Sequence, residues 1–175
     1  MYEFTNSETV VIGVGNTIFS DDGLGVHAAN LLRDDPRVPP AVSVLDGGTL
    51  GLDLIGYACD VPRVLFLDAM NTGKPPGTLG RRTAPELLGC TAGWSAHQLG
   101  LADLLSALAL VSKIPQEIVV LGLQPEITDW GTTMSPRVQG SLPQLVEAAV
   151  AQLRAWHGPE SEFAAGPQIS DARLA

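Results

Sequence analysis

An α/β fold, a three-layer α/β/α sandwich with a mostly parallel central sheet, is predicted by three observations. Four short apolar runs, Thr9 to Gly13, Val42 to Asp46, Arg63 to Asp68 and Glu117 to Gln124, are rich in Val, Ile and Leu and hardly alternate, as strands covered on both faces do. Segments of helical spacing lie between them. Strand and helix therefore alternate along the chain, and right-handed crossovers place helices on both faces of the sheet.

The elements follow in order. After the first strand, Gly23 to Arg33 sets Leu24, Ala28, Leu31 and Leu32 on one side of a helix. A shorter amphipathic piece, Gly51 to Ala58, follows the second strand. Thr78 to Thr83 reads as an added strand, and His97 to Ser112 repeats leucine at helical spacing. Ser135-Pro136 offers an N-cap hydroxyl before a proline at the first helical position, which opens a last helix over Arg137 to Arg154. Periodicity stops after Trp156, so residues 1–156 are expected to form one domain and residues 157–175 a mobile tail.

At 175 residues the chain suits one domain, burying about two thirds of its unfolded surface. A formal charge of −9 argues against nucleic acid or an anionic membrane as partner, because nothing here neutralises a run of phosphates. No secretory signal pattern opens the sequence, and no apolar stretch reaches the ~18 residues needed to cross a bilayer. A soluble intracellular protein is expected. Cys59 and Cys90 lack metal or disulfide spacing and read as ordinary thiols.

The stretch GVGNTIFSDDGLG, residues 13–25, follows a strand as phosphate-binding loops do. It lacks the third glycine of a dinucleotide fingerprint, Asp46 lies too far along to serve as its ribose acid, and no Gly-Lys-Ser/Thr follows. In its place stand two carboxylates, Asp21 and Asp22. Open parallel sheets bind ligands beyond the carboxyl ends of their strands. Asp21 and Asp22 after strand one, Asp46 ending strand two, Asp68 ending strand three and Gln124 ending the later strand collect there, and His97 opens the leucine-rich helix. Such oxygen and nitrogen donors suit zinc, nickel or manganese, whereas calcium wants more oxygens and copper(I) wants sulfur. Taken singly, Asp21 reads rather as a helix cap and His97 as a partner of a backbone group; together, at strand ends on one face, they point to a ligand site.

Five segments, GVGNTIFSDDGLGV, LDGGTLGLDLI, LFLDAMNTGKPPGTL, SAHQLGLADLLSAL and GLQPEITDWGTTMSPRV, stand in an order and spacing that resembles the hydrogenase maturation endopeptidases. The likeness covers about residues 9 to 156. It implies a cytoplasmic peptidase, expected as a monomer, that removes a short C-terminal peptide from the large-subunit precursor of a nickel-iron hydrogenase after nickel insertion. Nickel, supplied by that substrate, or another divalent transition metal would then be held by Asp22, Asp68 and His97, converging in one coordination sphere. Relatives often carry glutamate where this chain has the shorter Asp22.

Peptide hydrolysis needs a nucleophile, a stabilised oxyanion and an acid for the leaving amine. No Gly-x-Ser-x-Gly elbow supports a serine route, and Cys90 with His97 forms no recognisable dyad. Water activated by metal or carboxylate remains, with Asp22, Asp68 and Asp46 as catalytic candidates and Asp21 as a further base. Two other classes stand beside it: a non-catalytic nickel-checkpoint chaperone for hydrogenase assembly, which would need the same metal grip, and a small-molecule hydrolase or phosphorylase, which would need basic or amide groups for an anionic substrate, where Lys74 and Arg81-Arg82 are the sole basic cluster.

Overall fold

A computed structural model describes residues 7–88, 96–111 and 113–158, and of residues 88 and 96–100 the backbone alone. Its five strands are β1 (Thr9–Val14), β2 (Val42–Gly48), β3 (Arg63–Ala69), β4 (Leu79–Thr83) and β5 (Glu117–Leu123). They lie side by side in the order β2-β1-β3-β5-β4. Four run parallel, and β4 alone pairs antiparallel, at the edge beside β5. A three-layer sandwich results. The helices are α1 (Leu24–Arg33), α2 (Ile55–Ala58), α3 (Ala84–Leu88), α4 (Ala96–Leu110) and α5 (Pro136–His157).

Alternation along the central strands divides the core. Val11, Leu65 and Leu67 face α1 and α5 together with Leu24, Leu32, Leu145 and Leu153. Val10, Ile12, Phe66 and Met70 face the other way and join Leu101, Leu104, Leu105 and Leu108 of α4. Both faces are covered, which is why these runs show no period of two. Each fully buried large side chain contributes roughly 2 to 3 kcal/mol of apolar burial.

The boundaries refine the sequence expectations. A 3-10 turn, Ser20–Gly23, precedes α1, and another, Gly51–Leu54, precedes α2. The last helix starts at Pro136 and runs on through Trp156 to His157, past the expected Arg154. The leucine-rich helix stops at Leu110 instead of Ser112. The sequence reading omitted α3, which is only five residues long and carries Pro85 in its first turn. Cys90, Ser95, Ser112 and residues 159–175 of the expected tail lie outside the described residues. Among the described residues no helix is long and apolar enough to cross a membrane.

Two glycines fix how closely α1 approaches the sheet. A β-carbon on Gly25 would lie 2.1 Å from the Leu67 carbonyl oxygen and 2.4 Å from that of Val14. One on Gly15, whose φ is 132°, would lie 1.9 Å from the Asp22 carbonyl oxygen. The loop of residues 15–23 is thereby folded back over the carboxyl ends of β1 and β3.

Candidate active site

Asp68 is the sixth residue of β3 and is completely buried. In sheet parity it follows Phe66 and precedes Met70, so it belongs to the face that packs on α4. Gly25, jammed against the carbonyl of Leu67, brings the start of α1 to the residue just before it. Asp22 lies three positions upstream of Gly25, in a turn that packs on β3, and is half-buried. Among its contacts, Asp22 Oδ2 accepts a hydrogen bond from the Asn16 backbone N–H at 3.0 Å. The two expected ligand carboxylates therefore belong to one edge of the sheet, and the loop carrying Asp22 is anchored on the strand that carries Asp68.

His97 is the second residue of α4. Lys113, just past that helix, pairs with Asp60, which lies just before β3, so α4 ends at the amino edge of the strands. Fifteen residues of helix span ~22 Å, about the height of a seven-residue strand. The first turn of α4 thus stands at the carboxyl edge, over the face to which Asp68 belongs. The imidazole itself lies outside the described atoms. Among the described residues no three His, Cys, Asp or Glu side chains group closely enough to hold a metal ion, and the expected trio includes that imidazole.

Asp46 is exposed near the end of β2. It pairs in register with Gly13, whose β-carbon would point into Gly25 and Ala29 of α1. Asp46 therefore lies on the α1 face, opposite Asp68, and reaches the same site only across the strand ends. Beyond it the register shifts by one residue at Gly47, a bulge that bends β2 at the rim.

Asp21 has a different task from its neighbour. Completely buried, it accepts hydrogen bonds from the backbone N–H groups of Glu126 and Ile127, each at 2.9 Å, from Ser135 N–H at 2.6 Å and from the Ser135 hydroxyl at 2.9 Å. These donors all belong to the connection between β5 and α5. The helix-cap reading of Asp21 is corrected, since no side chain caps α1 and the carboxylate turns away to this connection. The N-cap hydroxyl expected of Ser135 is corrected too: it donates to Asp21 and makes no cap bond. Gln124 is likewise engaged structurally, its Oε1 accepting from the Thr72 N–H and hydroxyl at 2.7 and 3.1 Å.

The same connection is laced to the loop after β1 along its length. Ser20 N–H donates to Gly131 O at 2.7 Å, Gly131 N–H to Ile18 O at 3.0 Å, and Asp21 N–H to Ile127 O at 3.0 Å. It crosses from β5 past the end of β3 to β1 and forms a strap over the edge that holds Asp68. Sequence reasoning missed this strap, because its partners lie more than a hundred residues apart.

A mostly parallel sheet with carboxylates gathered under crossing loops at its carboxyl edge defines an α/β protein whose site lies beyond the strand ends. The profile of the hydrogenase maturation protease family, HycI, matches residues 26–152. The chain is 35% identical over 153 residues to hydrogenase expression/formation protein HoxM of Cupriavidus necator, covering 85% of this chain and 75% of that protein. It is 34% identical over 149 residues to the hydrogenase 2 maturation protease of Escherichia coli, covering 83% and 90%. The solved structure of the hydrogenase maturating endopeptidase HybD from E. coli superposes with a TM-score of 0.76 at 32% identity, covering 85% of this chain and 93% of that one. The chain belongs to the hydrogenase maturation protease family, a family of peptidases.

Proposed function

We propose that this protein removes a short C-terminal peptide from the large-subunit precursor of a nickel-iron hydrogenase once nickel has been inserted. Asp22, Asp68 and His97 grip the nickel that the substrate carries, and Asp46 is the candidate base for the attacking water. The observation that carries this reading is the buried Asp68 under the loop of Asp22, at the edge where α4 begins. Two carboxylates and an imidazole are a donor set suited to divalent nickel. Burial strengthens the attraction of Asp68 for a cation, because solvent no longer screens it. In this reading the grip comes first and acts as a checkpoint, since a precursor without nickel offers the carboxylates nothing to hold. Hydrolysis then requires a water delivered to the scissile carbonyl and a proton for the leaving amine. Asp46, reaching in from the other face, can take the water's proton without competing for the metal.

The test is to mix purified protein with nickel-loaded and nickel-free precursor and follow the product by mass. Loss of a C-terminal peptide from the loaded form alone is expected. Cleavage of both forms at equal rates would remove the nickel grip, and cleavage of neither would remove the peptidase reading. His97→Ala is expected to abolish processing while changing stability by less than about 1 kcal/mol, and Asp46→Asn to bind precursor without cutting it.

A further inference from the structure

Resting on the precursor as substrate, we infer that the outer side of the strap, centred on Trp130, is a docking platform for a basic segment of that precursor flanked by apolar side chains. Trp130 is 77% exposed, and Ile127 and Ile18 are 45% and 44% exposed. The indole packs against the ring of Phe19, with centroids 4.6 Å apart and planes tilted by 36°. An exposed tryptophan on a loose loop would pay for its ordering only on binding. Here the backbone beneath it is already fixed by Gly131 and Ser20, by the Ser20 hydroxyl donating to Asp129 O at 3.1 Å, and by the buried carboxylate of Asp21. A preformed aromatic surface loses little entropy when covered, and tryptophan is prominent among residues that dominate binding.

Charge selects the occupant. Glu126 and Asp129 are exposed on the same strap, on a chain with a formal charge of −9. A lysine or arginine laid on the open indole face gains a cation–π contact and carboxylates beside it, while apolar neighbours cover Ile18 and Ile127. Continuity with the site fixes the role. Phe19 accepts the Asp22 backbone N–H on its carbonyl at 3.1 Å, so a segment docked on the ring pair enters beside the first candidate ligand.

The measurement is affinity for the nickel-loaded precursor together with kcat and KM, for wild type, Trp130→Ala, Trp130→Phe and the pair Glu126→Gln with Asp129→Asn. Trp130→Ala is expected to weaken binding and raise KM by about tenfold, with kcat within about threefold and an unchanged unfolding midpoint; Trp130→Phe recovers most of the loss. The neutralised pair is expected to bind more weakly and with less dependence on salt. Binding by Trp130→Ala within about twofold of wild type would overturn the platform while leaving the peptidase reading intact. Tight binding without cleavage, weakened by Trp130→Ala, would support the platform and overturn the peptidase reading. Wild-type protein that dimerises, and becomes monomeric as Trp130→Ala, would assign the surface to a second copy and overturn the inference.

Discussion

Two neighbouring aspartates carry different duties because their surroundings differ. Asp21 is surrounded by four donors and shut off from bulk solvent, whereas Asp22 is half-buried in the turn that packs on β3. In Asp21→Asn one carboxylate oxygen becomes an NH2 group facing an N–H donor, so at least one strap contact is lost and one buried donor is orphaned. A loss of about 2 to 4 kcal/mol in stability is expected by urea unfolding. Asp22→Asn keeps an oxygen for Asn16 N–H and is expected to unfold within about 1 kcal/mol of wild type, yet to fail in processing nickel-loaded precursor. If Asp22→Asn proves the less stable of the two, the division of labour is wrong. The sequence offered both residues as site candidates and could not separate them. What separates them is contact with residues 126–135, and no local pattern encodes an acceptor meeting donors that far along the chain.

At the scale of elements, strands were the more legible part. A parallel strand buried on both faces is an unbroken apolar run, so β1, β2, β3 and β5 were readable from the runs that carry them. Their ends were less so: Asp46 and Asp68 both lie near strand ends, β2 running on to Gly48 and β3 to Ala69, and pairing of Gly13 with Asp46 on one side and Leu67 on the other puts the two carboxylates on opposite faces. Register between strands is a non-local property. The glycines of residues 13–25 read only as a departure from a phosphate-binding fingerprint, and the close approach they permit was not legible. Gly25 meets the Leu67 and Val14 carbonyls at distances no β-carbon tolerates, so Gly25→Ala must push α1 off β3. A destabilisation of about 3 kcal/mol or more is expected by urea unfolding. Gly140→Ala, where nothing lies within 4 Å of the added carbon, is expected to be neutral or slightly stabilising because alanine favours the helix. Equal outcomes for the two would mean that α1 can shift freely on the sheet.

Across the whole molecule, the two edges of the sheet are built for different purposes. The carboxyl edge gathers acidic groups and a strap, while the amino edge is a knot that fastens the last helix. Trp156 Nε1 donates to Glu117 Oε2 at 3.0 Å, Arg63 Nε to Glu117 Oε1 at 3.3 Å, and His157 Nε2 lies 2.8 Å from Thr9 Oγ1. The His157 side chain is only 3% exposed, with Glu8 Oε2 3.9 Å from its Nδ1. Burial is the main cause that holds the His157 pKa below its usual 6.5; the positive charge of Arg63 lowers it further, and Glu8 opposes both. The unfolded chain therefore takes up this proton first as the solution is acidified. Its contribution is fully present above the unfolded value of 6.5 and is lost as pH falls from there toward the depressed folded value. The carboxylate window lies lower: Asp35, held below 3.8 chiefly by hydrogen bonds from the Arg37 side chain, keeps its contribution until pH falls through that range. Urea midpoints measured at about pH 7.5 and about pH 5.5 thus keep clear of that carboxylate, and comparison with a variant lacking the imidazole singles out His157. Wild type is expected to lose more stability between the two than His157→Gln, which cannot titrate but retains a polar group for Thr9. Parallel losses in the two proteins would mean that the knot does not respond to this proton, and that α5 stays fastened to the sheet whether the imidazole is neutral or charged.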